Sequence, residues 1–340
     1  MKKSLIWFAL SVALFSFVLS LPMIASAEEG DVGYSVRAIL PENQIENGHS
    51  YFNLRVKPND QQLLETEIFN HEAKPITVHL SVRNSSTNEN GLIVYEDMEK
   101  HWDDDVLQLT EVLQFREETV VVPPKGSIKA FAELQMPDQP FDGVILGGLH
   151  FEKEADDKRT EGVSIQNRYA YVIGVVLSQS DKEIPIDLQL KGVRAELVNH
   201  RTANVITLEN RSPNIVEGLA IDAKIYQSDK TEPVKEKMKE QISMAPYTTI
   251  DFVIDWDNQK LEPGSYTAVV EAKVETSRWN WEESFTIEEN EAATINKEAV
   301  KLEDDKVNLN GFVLTSTSIL LIIIIALLIY IRKLKKAQES

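Results

Sequence analysis

Met136-Pro137-Asp138-Gln139-Pro140-Phe141-Asp142-Gly143 runs straight into Val144-Ile145-Leu146-Gly147-Gly148-Leu149-His150-Phe151, and this passage decides how the whole chain folds. A charged segment, Glu152–Gly162, follows it. Beyond that, Val163, Ile165, Tyr169, Tyr171, Ile173, Val175 and Leu177 share one parity, with Ser164, Gln166 and Arg168 on the other. Period-two alternation in residues rich in Tyr, Val and Ile is what a strand with one packed and one wet face requires. Two such runs around a polar loop predict an antiparallel hairpin. Gly147 and Gly148 would mark a close approach or a bulge within it.

Working outward, the first half supplies partners for that hairpin. Phe52, Leu54 and Val56 alternate with Tyr51, Asn53 and Arg55, and Ile76, Val78, Leu80 and Val82 alternate with Thr77, His79, Ser81 and Arg83. After Val120–Val122, the turn Pro123-Pro124-Lys125-Gly126 leads to Ile128, Ala130, Ala132 and Leu134. Between these runs Asn88–Glu118 reads as an irregular insertion, with a short strand at Leu92–Tyr95 and a helical turn near Asp103–Leu109. The second half repeats the plan. Leu219, Ile221, Ala223 and Ile225 form one strand face, and Ile250, Phe252, Ile254 and Trp256 another. Leu261-Glu262-Pro263-Gly264 then leads into Tyr266, Ala268, Val270, Ala272 and Val274, and Trp279, Trp281, Phe285 and Ile287 close the unit. Asn70 and Asn210 occupy matching turns, Gly143 corresponds to Gly264, and Tyr169–Leu177 corresponds to Trp279–Ile287. The pattern predicts an all-β chain of two tandem immunoglobulin-like β-sandwiches. A pair of β-barrels is the alternative.

The ends give an address. Lys2-Lys3, the apolar run Leu5 to Leu21 and Ala25-Ser26-Ala27 predict a signal peptide over 1–27, with an uncleaved anchor as the rival. Phe312–Ile331 carries no charge and is mostly Leu and Ile, long enough for the ~30 Å hydrocarbon core of a bilayer. Arg332, Lys333, Lys335 and Lys336 follow it, which places a tail over 332–340 in the cytoplasm. One C-terminal transmembrane helix over 312–331 therefore follows the sandwiches. The expected divisions between the ends are 28–180 for the first sandwich, 181–288 for the second, and 289–311 for an acidic tether with helix only around Ile295–Leu302.

The chain carries a formal net charge of −19, and without its terminal segments the exported body stands at roughly −24. That argues against nucleic acid and anionic polymers, and for a basic protein partner or an uncharged glycan. There is no cysteine, so stability outside the cell rests on burial alone.

No pattern of catalytic residues emerges. The six histidines are scattered without an H-E-x-x-H or an i,i+4 pair, and no G-x-S-x-G occurs. Asp103-Asp104-Asp105 lacks the loop glycine and following bidentate Glu of a calcium loop, and reads as a solvated helix start. Trp279 and Trp281 would suit sugar stacking, but they continue the apolar parity of Phe285 and Ile287, so core packing is expected. The exposed candidates for glycan or partner contact are Asn43, Gln44, Tyr51 and Asn53. No enzyme activity, metal or cofactor is expected.

Several of these segments together resemble one family. Pro41-Glu42-Asn43-Gln44, Tyr51-Phe52-Asn53-Leu54, Phe141-Asp142-Gly143-Val144-Ile145-Leu146-Gly147-Gly148 and Ile165-Gln166-Asn167-Arg168-Tyr169-Ala170-Tyr171-Val172-Ile173 resemble the WxL-interacting proteins of Gram-positive bacteria. So do Pro263-Gly264-Ser265-Tyr266 and Trp279-Asn280-Trp281. Pro58-Asn59-Asp60 departs from the Pro-Gly that relatives tend to carry. The resemblance implies a peptidoglycan-binding domain, a host-binding domain and partnership with WxL-domain surface proteins. It places the boundary near Lys153–Gly162, whereas the hairpin places it near 180. The matching motifs look structural, so no binding residue is carried over. The expectation is a membrane-anchored surface scaffold that binds peptidoglycan, a WxL-domain surface protein and a host matrix protein. A stand-alone adhesin and a wall glycan hydrolase are the alternatives.

Overall fold

The computed structural model describes residues 32–46, 48–96, 106–155, 168–228 and 230–300. The predicted signal peptide, Asp103–Asp105, the Val163–Asn167 part of the second hairpin run, and the predicted transmembrane helix and tail lie outside them. None of the described helices is long and apolar enough to cross a membrane.

The deciding hairpin is present as β10 (Val144–Lys153) and β11 (Ala170–Ser178), in continuous antiparallel register from Val144↔Ser178 to Glu152↔Ala170. Ile173, Val175 and Leu177 are buried, as the parity requires. Tyr169 departs from it. The residue is 43% exposed, while its carbonyl accepts from Tyr34 Oη at 2.9 Å. Tyr169 lies just before the first residue of β11, where the run no longer packs on the core.

The first sandwich takes β1 (Tyr34–Ile39), β2 (Phe52–Arg55), β3 (Gln61–Asn70), β4 (Ile76–Asn84), β7 (Leu113–Phe115), β8 (Thr119–Val122) and β9 (Ser127–Gln135) around that hairpin. Its sheets run β1-β3-β9-β7 and β2-β11-β10-β4-β8. The second is built from β12 (Leu188–Val198), β13 (Arg201–Asn210), β14 (Val216–Gln227), β15 (Lys235–Met244), β16 (Thr249–Asp255), β17 (Gly264–Val274) and β18 (Ser277–Ile287). Its sheets run β12-β13-β16 and β15-β14-β17-β18. The orders superpose: β1-β3-β9 matches β12-β13-β16, and β8-β4-β10-β11 matches β15-β14-β17-β18. In the first sandwich β2 adds a parallel edge to β11. Because Leu219, Ile221 and Ile225 all point inward, a one-residue slip of β14 would expose three large aliphatics at roughly 1.5–3 kcal/mol each. That penalty pins the register.

The repeat extends to hydrogen bonds. Asn70 Nδ2 donates to Lys74 O at 2.8 Å and Val122 O at 3.1 Å, and its Oδ1 accepts from Glu72 N at 2.8 Å. Asn210 Nδ2 donates to Asn214 O and Ala245 O, both at 2.9 Å, and its Oδ1 accepts from Ser212 N at 3.1 Å. Each buried amide ties the turn after one strand to the proline turn that leads into that strand's sheet neighbour, β9 beside β3 and β16 beside β13. Tyr266, near the start of β17, donates its hydroxyl to Glu262 O at 2.8 Å, the tyrosine corner expected of immunoglobulin-like sandwiches.

Three details refine the sequence reading. The insertion contains a small hairpin, β5 (Ser86–Thr87) with β6 (Ile93–Val94), and a one-turn helix, α1 (Leu109–Val112), that begins where the predicted turn ended. Asn59, at φ +64°, adopts the left-handed conformation that glycine would supply and that asparagine tolerates. The expected tether is not free from residue 289. Helix α2 spans Glu289–Glu298 with a capping box between Glu288 and Glu291, and it packs Ala292 and Ile295 on the second core. Asn296 both accepts from Leu261 N and donates to Leu261 O, at 2.8 and 2.9 Å. Two apolar residues three apart and that amide clasp hold an otherwise polar segment in place.

Candidate binding site at the domain junction

The two sandwiches meet through backbone approaches that only glycine permits. Gly143, at φ +78°, has Pro213 O 2.4 Å from where a Cβ would stand, and Val144 N donates to that same oxygen at 2.9 Å. Gly91, at φ +64°, faces the Ile242 side chain at 2.8 Å, and its carbonyl accepts from Ser243 N at 2.8 Å. Between these contacts, Thr87 Oγ1 lies 2.6 Å from Thr248 Oγ1 and accepts from Ala245 N at 3.0 Å. All three residues are buried, so this group of bonds is made away from water, where leaving a partner unmatched is expensive.

Beside the joint lies a cleft of about 400 Å³, within the size range of small-ligand sites. Segments far apart in sequence build it: Ser85, the approach to α1, the Pro137–Leu146 passage, and Pro246-Tyr247 of the second sandwich. Phe141 and Tyr247 give it aromatic surface, Gln108 and Gln139 amides, and Glu111 and Asp142 carboxylates. Glu111 Oε2 accepts from Gln108 N at 2.7 Å, and Asp142 Oδ2 pairs with Lys182 at 2.5 Å. Burial, and then the nearby Asp142 charge, push the Tyr247 phenol above its ordinary value.

Tyr247 is held at φ +57°, an uncommon conformation for an aromatic residue. Its N–H donates to Ser212 O at 3.3 Å, as Lys125 N donates to Glu72 O at 3.0 Å in the first sandwich. Lys125 shares the conformation at φ +52°. The repeat thus places a tyrosine, facing the cleft, where the first sandwich has a lysine.

The residues singled out from sequence sit elsewhere. Asn43 donates to Arg55 O at 3.1 Å and exchanges amide bonds with Gln62 at 2.9 and 3.0 Å. Gln44 bonds Tyr51 O and Asn53 N, both at 3.1 Å. These two amides hold the segment that leads into β2 against that strand. Tyr51 and Tyr95 lie on the outer face over Gly174, which pairs with Gly148. Burial raises the Tyr95 phenol. Gly147 and Gly148 are close approaches rather than a bulge, since the register runs through them unbroken. A Cβ on Gly147 would lie 2.4 Å from Arg83 O, and one on Gly148 2.7 Å from Val172. Tyr171 packs edge-on to Tyr34 at 4.9 Å. Gly264 opens β17 opposite Ile287, Tyr266 is stacked on Phe285 at 5.6 Å, and Trp279 and Trp281 are half-buried against the second core. None of these residues lines the cleft. The signal that could have found Tyr247 was the Asn70/Asn210 match, which sets it opposite Lys125. Among the described residues, no group of three or more His, Asp or Glu is placed to hold a metal ion.

Among solved structures, a chain of the chaperone–tip adhesion subunit complex of the Csu pili of Acinetobacter baumannii is 12% identical, covering 67% of this chain and 94% of that one at a TM-score of 0.34. The class 5 fimbriae chaperone CfaA is 13% identical, covering 68% and 95% at 0.30. The CupB2 chaperone of Pseudomonas aeruginosa is 12% identical, covering 66% and 92% at 0.28. No curated protein matches the chain. Two family profiles do. The WxL Interacting Protein peptidoglycan binding domain matches residues 34–153, and the WxL Interacting Protein host binding domain matches residues 160–297. The second begins before β11, a strand that pairs into the first sandwich, so the family boundary falls inside the hairpin rather than at the joint. With both profiles matched in order over most of its length, the chain belongs to the WxL-interacting protein family.

Proposed function

We propose that this protein is a non-enzymatic scaffold held at the outer face of a Gram-positive cell membrane. The signal sequence over 1–27 exports it, the apolar run over 312–331 retains it, and the basic tail stays in the cytoplasm. The first sandwich holds peptidoglycan and a WxL-domain surface protein, and the second contacts a host matrix protein. The observation that carries this reading is the succession of a peptidoglycan-binding and a host-binding match along one chain. Contacts of this kind use sheet edges and polar faces and need no covalent chemistry.

The test is a pull-down with full-length protein in detergent, offered a wall-protein extract and, separately, immobilised matrix proteins. Enrichment of WxL-domain proteins from the extract supports the scaffold. Capture of matrix proteins with no WxL-domain protein would favour the stand-alone adhesin, whose support is the host-binding match.

A further inference from the structure

We infer that the cleft between the sandwiches is a saccharide site that takes an uncharged, N-acetylated hexosamine segment of a glycan strand. The inference rests on the wall-binding reading and assigns it a location, spanning both sandwiches rather than lying within the first.

The chemistry of the walls selects the ligand. A pyranose ring has an apolar face and a rim of hydroxyls. Phe141 and Tyr247 offer flat apolar surface from opposite sandwiches. Glu111 and Asp142 are acceptors for hydroxyls, and each spends one oxygen within the protein, Oε2 towards Gln108 N and Oδ2 towards Lys182. Gln139 supplies an amide that can both donate to and accept from an acetamido group, and Gln108, whose Nε2 already donates to Val106 O at 3.2 Å, keeps a second N–H for a ligand. Among the described residues no Lys or Arg lines the cleft. Asp142 is paired with Lys182, so the Glu111 carboxylate is the lining charge that disfavours phosphate and any peptide bearing free carboxylates. An uncharged sugar meets no such repulsion.

Tyr247 is the residue on which the site depends. Its turn makes the same bonds as the turn at Lys125, so the turn does not need the ring. The left-handed backbone would be easier for asparagine or glycine than for tyrosine. A bulky ring kept in that conformation at the mouth of a cleft is what a ligand contact would require.

The test uses full-length protein in detergent micelles and two probes, the β-1,4-linked tetramer of N-acetylglucosamine and purified peptidoglycan sacculi. Tetramer binding is followed by saturation-transfer NMR and titration, and sacculus binding by sedimentation. Tyr247→Asn keeps the backbone conformation and removes the ring, Glu111→Gln removes a charge while keeping the cap, and Lys125→Asn is the matched control. The expected result is tetramer binding that falls about tenfold or more in Tyr247→Asn, falls in Glu111→Gln and is unchanged in Lys125→Asn. Sedimentation with sacculi but no tetramer binding, or equal tetramer binding by Tyr247→Asn, overturns the cleft and leaves the wall-binding reading standing. Failure to bind either probe removes both.

Discussion

Replacing Asn210 by alanine isolates the device that both repeats share. The side chain is fully buried, donates to Asn214 O and Ala245 O, both at 2.9 Å, and accepts from Ser212 N and Ser212 Oγ at 3.1 and 2.6 Å. Ala245 O keeps a second donor in the Thr248 hydroxyl at 2.9 Å, so truncation strands mainly Asn214 O and Ser212 N. At about 1–3 kcal/mol for an unsatisfied buried group, the buried Ser212 N sets the loss at about 1–3 kcal/mol, with a smaller addition from the half-buried Asn214 O. Trp256, Trp279 and Trp281 all belong to the second sandwich, so with Trp7 and Trp102 replaced by phenylalanine urea unfolding followed by tryptophan fluorescence reads the affected domain. The midpoint should fall with little change in slope. Asn70→Ala should cost a similar amount in the first sandwich with little effect on that fluorescence midpoint. A loss below about 1 kcal/mol for Asn210→Ala would refute the claim that the amide clasps the turns.

Other perturbations probe the rest of the structure. Burial raises the Tyr34 phenol to about 12 from its ordinary value near 10, so the folded state favours the protonated form. Its contribution, on the order of 2–3 kcal/mol, is intact below pH 10 and lost as pH rises towards 12; unfolding at pH 9 and 11.5 should show the fall, and Tyr34→Phe should lessen it. Gly143→Ala forces a Cβ against Pro213 O in a left-handed backbone, about 1–2 kcal/mol from conformation alone plus the clash. It should increase amide exchange at Val144, and unchanged protection would contradict the joint. Gly148→Val crowds Val172 and Tyr95 and should expose the Tyr95 phenol to quencher. If the protein partner is basic, the net charge of −19 predicts affinity that falls between low and physiological salt, and salt-insensitive binding would reject that feature alone.

Strands with one buried face were legible because burial alternates along them, as in Leu219, Ile221, Ala223 and Ile225. So were the repeat, through Asn70 and Asn210, and the placing of the second hairpin strand in the first sandwich. β15 was hidden because it is an edge strand, largely exposed until Ile242 and Met244, and its charges guard a free edge rather than mark a core. β12 was hidden by a register shift between Leu190 and Gly192, which moves Val193 and Ala195 onto the parity opposite Leu188 and Leu190. α2 looked like linker because only Ala292 and Ile295 touch the core. The cleft had no local signature at all. Its groups come from turns and loop ends in both sandwiches, and only the tertiary joint brings Tyr247 near Phe141.

On the proposed function, the protein grips wall polymer without cutting it. Incubating full-length protein with purified peptidoglycan, then assaying pellet and supernatant together, tests both halves. A non-enzymatic scaffold is expected in the pellet, with no reducing sugar released. Protein left in solution, or sugar accumulating with time, would contradict it.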